Sequence, residues 1–181
     1  MIIGLTGTKG SGKGTVADYL VSKGFHYFSL SEIVREEARK KYATPMAKQL
    51  IETGNLLRET GGPGILSEML LPQIKLGNYV IDGIRNPAEV EVLRQLKGFV
   101  LISVDADRKT RYERIVSRGR EDKPKTYKDF VEIDERDLGK NEPQSGQRVK
   151  DTMSLADAII INEGSIQELQ WKVDAVLSKF R

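Results

Sequence analysis

Residues 7–14 read GTKGSGKG, four glycines and two lysines in eight positions. They stand between the apolar run IIGLT (2–6) and the helical pattern GKGTVADYLVSKG (12–24). Glycine is costly in regular structure, and lysine is ordinarily a surface residue. Without Cβ atoms a backbone can turn its N–H groups inward, and a lysine at a helix start adds to the positive charge already there. A chain of phosphates is the guest that fits both. The spacing Gly7-x4-Gly12-Lys13, in a strand–loop–helix setting, is that of a phosphate loop. Amides from about residue 10 to 15 would line a nest for a β-phosphate, backed by the helix N-terminus. The candidate nucleotide contacts are therefore Thr8, Lys9, Gly10, Ser11, Gly12, Lys13, Gly14 and Thr15, with Lys13 reaching β and γ oxygens. Position 14 is glycine and the hydroxyl comes one later, at Thr15. Mg²⁺ is therefore expected through water and nucleotide oxygens rather than by direct ligation from the loop.

The chain around this loop alternates apolar, β-branched runs with helical patterns. HYFS (26–29), YVID (79–82), FVLISV (99–104) and DAIII (157–161) read as strands after the first. A C′ glycine, Gly24, would end the first helix. Ser29 with Glu32 has capping-box spacing, Thr44-Pro45 marks a helix start, and Asn86-Pro87-Ala88-Glu89 starts another that Gly98 closes. RKTRYERIVSRG (108–119) is helical, and Ser165 boxed by Glu168 opens the last helix. Such alternation predicts a parallel sheet wrapped by helices on both faces, an α/β fold in three layers. Two stretches stand outside it, 44–76 with its GGPG and the polar stretch 119–152. Insertions at the carboxyl edge of such a sheet are where substrate flaps and lids are built.

At 181 residues the chain suits a single domain, 1–181, with a real core. It has no cysteine, which removes disulfides, thiolate catalysis and cysteine zinc sites. The single histidine, His26, cannot build a histidine metal cluster. No apolar run approaches transmembrane length, and Met1 leads into Ile2–Leu5 without a basic n-region. A soluble, cytoplasmic protein is expected. A net charge of +3 on a chain that is 30% charged is too mild to name nucleic acid as the partner. RNA is allowed but not favoured over small polyanionic nucleotides.

Two further clusters carry chemistry. In VIDGIRN (80–86) an aspartate ends a buried strand, expensive without cationic company. If the first and third strands are neighbours, Asp82 lies beside the loop, placed to hold a Mg²⁺ water, and Arg85 points to the same cleft. In RYERIVSRGR (111–120), Arg111, Arg114 and Arg118 fall on one helix face and Arg120 follows. Two or three converging on phosphates suits the set better than a solvated basic face. Arg136, in DERD, would join them from the other side.

At GSGKGT (10–15) with ERIVSRGR (113–120) the chain resembles the nucleoside monophosphate kinases, adenylate kinase above all. YFSLSEIVREEARKK (27–41) resembles their acceptor-binding stretch and YVIDGIRN (79–86) their LDGFPR strand end. GLTGTKGSGKGTVADYLVSKGF (4–25) and ADAIIINEGSIQELQWKV (156–173) are equally similar to dephospho-CoA kinase. The whole chain looks most like archaeal adenylate-kinase-related proteins. The resemblance implies a five-stranded sheet in the order 2-3-1-4-5, a helical acceptor-binding insertion over about 30–76 and a lid over about 119–150. It places Ser29 and Arg35 at the acceptor, Arg114 against the adenine of ATP, and Arg118 and Arg120 on the transferring phosphate. The backbone of Asn162–Ser165, Gly164 included, would pass over the adenine. Departures bear on the acceptor: the arginine of Ile84-Arg85-Asn86 comes one residue early, and no glutamine stands where those enzymes read the acceptor base. Ser29-Leu30-Ser31-Glu32 replaces the acidic metal pair of dephospho-CoA kinases.

The expected activity is ATP- and Mg²⁺-dependent transfer of a γ-phosphoryl to a nucleoside monophosphate or similar phosphorylated acceptor. Such an acceptor is already anionic and needs no strong base, only cations that bring two polyanions together. Lys13, Asp82, Arg118 and Arg120 take the catalytic roles, and Arg35, Arg85 and Arg58 hold the acceptor phosphate. The alternatives are a dephospho-CoA-type small-molecule kinase and an adenylate-kinase-like ATPase in RNA or ribosome assembly.

Overall fold

The first strand, β1 (Ile2–Thr6), is buried at all five positions, a pattern tolerated only by a strand covered on both faces. It is accordingly central. In the computed structural model, which describes residues 1–119 and 124–180, β1 pairs in parallel with β3 (Tyr79–Asp82) and β4 (Phe99–Asp105). β2 (His26–Ser29) pairs with β3, and β5 (Ala158–Ile161) with β4. The order is β2-β3-β1-β4-β5, as expected.

Alternate residues of these strands feed two cores. Ile3, Leu5, Val80, Ile102, Val104 and Ile160 pack under α1 (Lys13–Ser22) and α9 (Ile166–Lys179), whose Leu20 and Val173 are fully buried. On the other face Ile81 and Leu101 lie under α2 (Leu30–Arg39), α4 (Ile65–Leu70) and α5 (Pro87–Leu93). Between α2 and α4 runs α3 (Ala47–Gly61), and a 3₁₀ turn, Leu71–Gln73, follows α4. The second half adds α6 (Arg108–Ser117), α7 (Tyr127–Asp137) and α8 (Val149–Ser154). The polar stretch 119–152 thus holds two helices that its composition conceals. Tyr112, Tyr127 and Phe130 pack their rings together where α7 meets α6. No helix among the described residues is long and apolar enough to cross a membrane.

Local signals held where side chains had no better partner. Asn86 caps α5, accepting from Ala88 N at 3.0 Å, while Glu89 returns to Asn86 N at 3.1 Å; the Ser165–Glu168 box also forms. The Ser29–Glu32 box does not. Ser29 Oγ bonds Ser31 Oγ at 2.8 Å, and Glu32 is drawn off by Arg35 and Arg39. The third helix starts at Ala47, not at Pro45, with Gln49 Oε1 accepting from Met46 N. α5 ends at Leu93, and Gly98 turns the chain into β4 instead of closing it.

One ion pair joins the helical stretch after β2 to the body. Arg58 of α3 is 3% exposed and Glu89 of α5 is 0% exposed. Glu89 Oε1 accepts from Arg58 Nε at 3.0 Å and Nη2 at 2.8 Å. Its other oxygen accepts from the backbone of Arg85 at 2.8 Å and of Asn86. Removing one partner from a buried pair strands the other charge, which costs about 3–5 kcal/mol. We predict a loss of that size for Glu89→Ala in urea denaturation. Adding Arg58→Met should not restore stability, because the two backbone donors stay unpaired; full recovery in the double variant would contradict this.

Candidate functional site

The loop between β1 and α1 lies at the carboxyl edge of the sheet, beside the switch point where β1 sends one neighbour to each side. Three of its glycines are obligatory, Gly10 among them: at φ 84° it would set a Cβ 2.8 Å from the carbonyl oxygen of Arg111. Gly7 has φ 135°, and a Cβ there would lie 1.9 Å from the carbonyl oxygen of Val104. Gly12, at φ 103°, would place one 2.3 Å from Asn162 Nδ2. Gly14, with open space around it, is under no such constraint. Gly12 is the N-cap of α1, and no side chain caps the first-turn amides of that helix. Uncapped amides at a helix start are the donors an anion takes.

Three side chains hold the loop from outside. Thr8 Oγ1 donates to Asp105 Oδ1 at 2.6 Å, and Asn162 Nδ2 donates to Ser11 O at 2.7 Å. Arg111 Nη1 donates to Lys9 O at 3.2 Å while the same guanidinium forks onto Asp134 of α7, Nη2 to Oδ2 at 2.8 Å. Arg111 is 4% exposed and Asp134 1%. Asp134 also accepts from Arg108 Nε at 3.1 Å. Arg111 thus belongs to the scaffold and does not converge on phosphates. Ser11 Oγ is buried with no hydrogen-bond partner.

Lys13 folds back across the loop, its Nζ donating to Gly7 O at 2.7 Å and Thr8 O at 2.8 Å. Its pKa falls from 10.5 to about 8. Burial is the main cause; Asp82 opposes it, Arg85 adds to it, Asp137 opposes it and Arg111 adds to it. Asp82 therefore faces the loop lysine, as the β1–β3 pairing requires. One of its oxygens accepts from Gly83 N at 2.7 Å.

Arg85 lies within electrostatic reach of Lys13 and makes no ion pair among the described residues; its Nη1 donates to Gln147 Oε1 at 3.1 Å. Arg35, half-exposed, is held by Glu32 at 3.0 Å and leans on Ser31. Arg114 is half-buried, with one guanidinium nitrogen buried and unpartnered. Arg118 is exposed just beyond α6, and Arg120 lies outside the described residues. Two candidates are committed elsewhere. Arg58 is locked on Glu89, and Arg136 donates to Glu142 at 2.6 Å on the surface. Ser29 is tied to Ser31, and the Asn162 side chain braces the loop while exposed Gly164 precedes the α9 cap. A depression of about 550 Å³ between α7 and α8 is lined by Glu135, Lys140, Glu142, Arg148 and Asp151, far along the chain from the loop. Glu135 pairs with Lys140, Glu142 with Arg136 and Arg148 with Asp151 around it.

Sequence reading missed Asp105, Asn86, Glu89, Asp134 and Gln147. Asp105 ends a buried strand as Asp82 does, so the same argument reaches it. Asn86 and Glu89 read as a helix cap, but their long-range roles, like those of Asp134 and Gln147, rest on partners more than twenty residues away that no local pattern announces.

Burying the charged Lys13 costs stability that deprotonation returns. Between pH 8 and 10.5 the unfolded chain keeps the proton that the folded chain has lost, so stability rises with pH across that window. A shift from 10.5 to about 8 corresponds to roughly 3 kcal/mol. The stability of the protein relative to Lys13→Met should therefore climb from pH 7 to pH 10, measured by denaturation. A constant gap would mean that Lys13 titrates as an ordinary lysine.

A family model described as AAA domain matches residues 3–138. The UPF0200 protein of Pyrobaculum aerophilum is 40% identical, over 99% of this chain and 98% of that one. The UPF0200 protein of Methanothermobacter thermautotrophicus is 36% identical over 99% and 90%. Among solved structures, shikimate kinase from Bacteroides thetaiotaomicron superposes with a TM-score of 0.66 at 15% identity, covering 98% of each chain. TT1252 from Thermus thermophilus does so at 0.60 and 21%, over 100% and 98%. At such identities these two share the fold, that of the P-loop kinases.

Proposed function

We propose that this chain, which belongs to the UPF0200 family and carries the AAA domain, is an ATP-dependent phosphotransferase acting on a nucleoside monophosphate or similar phosphorylated acceptor. One observation carries the reading. The uncapped start of α1 and the Lys13 ammonium lie together inside a loop braced from outside at Thr8, Lys9 and Ser11. Such a cradle offers donors to phosphate oxygens and needs no rearrangement of the loop.

In this reading a triphosphate displaces the Lys13 contacts with Gly7 O and Thr8 O, and the ammonium bridges β and γ oxygens. The unbonded oxygen of Asp82 fits a hydrated Mg²⁺, and among the described residues there is no cluster of three or more acidic or imidazole ligands that would strip its water. Bound there, the ion would offset phosphate charge. Arg114 lies against the adenine, with Asn162 and Gly164 beside it, and Arg118 and Arg120 meet the developing charge. Arg35 and Arg85 receive the acceptor, whose phosphate replaces Glu32 on Arg35, and Arg85 also meets the end of the donor chain held by Lys13. Ser29 lines the same side. Arg58 drops out because its pair with Glu89 is fully buried, and Arg136 because it is held by Glu142, which lines the separate depression between α7 and α8. The substrates are small soluble nucleotides of the cytoplasm.

The test is a coupled ADP-release assay across nucleoside monophosphates, dephospho-CoA and small hydroxyl acceptors, alongside ATP calorimetry. We expect turnover with a phosphorylated acceptor. Lys13→Ala should lose at least about a hundredfold in turnover with an unchanged far-ultraviolet spectrum. Arg35→Ala should raise acceptor KM by roughly tenfold to a hundredfold and leave ATP affinity intact. An Arg35→Ala defect in ATP binding alone would reverse the two ends of the site, and absent ATP binding by the wild type would end the proposal.

A further inference from the structure

The arginines of this protein differ in what holds them. Arg35, Arg58, Arg111 and Arg136 are each hydrogen-bonded to a carboxylate: Glu32, Glu89, Asp134 and Glu142. Arg114 and Arg118 pair with no carboxylate among the described residues, and Arg85 is held by a neutral amide, Gln147 Oε1, at 3.1 Å. A carboxylate fixes a guanidinium and cancels its charge. An amide oxygen fixes it and leaves the charge for something else.

The segment that carries Gln147 is fastened for this purpose. Asn86 Nδ2 donates to Gln144 O at 2.8 Å and to Gly146 O at 2.9 Å, and Arg148 N donates to Arg85 O at 2.7 Å. Below it, Glu89 Oε2 accepts from Arg85 N and Asn86 N. Backbone bonds on both sides thus define where the Arg85 Cα and the Gln147 Cα stand, and the side-chain bond sets the plane of the guanidinium. One Nη1 hydrogen is used; the Nε and Nη2 donors of the fork make no hydrogen bond among the described residues. The residue before Arg85 is tied to the strand that leads into the loop, Thr6 Oγ1 donating to Ile84 O at 2.9 Å and Ile84 N to Leu5 O at 3.3 Å, and Lys13 feels the Arg85 charge.

We infer that Gln147 is a positioning residue for Arg85, keeping its guanidinium oriented and uncompensated so that it binds a phosphate group lying between Arg85 and Lys13. The inference deepens the proposed function by naming the anion contact and the residue behind it, and rests on that reading for the identity of the ligand as a nucleotide phosphate. An isosteric carboxylate at 147 would keep the bond and strengthen it, yet neutralise the site.

The experiment is calorimetric binding of inorganic tripolyphosphate, which needs no phosphoryl transfer, with thermal midpoints recorded for every variant. Gln147→Glu should keep the fold and weaken tripolyphosphate binding by about tenfold or more. Gln147→Ala should weaken it by roughly threefold, through loss of orientation alone. In an Arg85→Ala background, Gln147→Ala should have no further effect, a dependence that a merely structural role would not produce. Wild-type affinity in Gln147→Glu, or an equal Gln147→Ala defect with and without Arg85, would overturn the inference. So would a wild type that binds no tripolyphosphate. A wild type that binds it in the predicted pattern and yet phosphorylates no acceptor would sink the kinase reading and leave Gln147 standing.

Discussion

The first-turn amides of α1 must stay unpaired while the loop that precedes them keeps its shape, and these demands pull against each other. Inside the loop Ser11 N donates to Thr8 O and Lys13 Nζ to the Gly7 and Thr8 carbonyls, and a loop with so few internal bonds ordinarily collapses onto whatever donors and acceptors it has. Here the load is taken by the outside. Thr8 is bonded to Asp105, the Lys9 carbonyl to Arg111 and the Ser11 carbonyl to Asn162, so that groups pointing away from the concavity are satisfied by β4, α6 and the end of β5. The inward amides are left over by construction. The tight seat of Gly7 on Val104 O belongs to the same arrangement, since only a backbone without Cβ comes that close to its neighbour strand.

Charge is organised around that cradle in two layers. Arg111 with Asp134, and Arg58 with Glu89, are buried pairs that fasten helix to helix, each cation held by a carboxylate. The cations facing the cleft are of another kind. Lys13 is bonded only to carbonyl oxygens and Arg85 only to an amide, so both remain available to an anion. Burial and repulsion by Arg85 raise the cost of keeping Lys13 charged, which is the state of a site built for a partner it has not yet met. Asp82, facing the same lysine, keeps the cleft from being uniformly positive.

Much of this was legible along the chain. The glycine spacing, the buried β-branched runs and the caps at Asn86 and Ser165 depend on residues within about five positions of one another, and each reports the backbone directly. The Ser29–Glu32 box failed where Arg35 and Arg39 offered Glu32 a charged partner that outweighs a neutral amide. The two helices within 119–152 escaped because α7 buries little beyond Phe130 and Asp134, too few positions for a strong apolar period.

The division is clearest among the arginines. By itself the sequence determined the strand–loop–helix, the parallel sheet in three layers and the concentration of cations at one end of it, because local periodicity and steric limits on glycine act over a turn or two of chain. It could not say which arginines were free. That was decided by Glu89, 31 residues from Arg58, by Asp134, 23 from Arg111, and by Gln147, 62 from Arg85. Whether a guanidinium is neutralised or left charged depends on what the fold brings within about 3 Å of it, a distance at which electrostatic and hydrogen-bond energies are settled and about which neighbours in sequence carry no information.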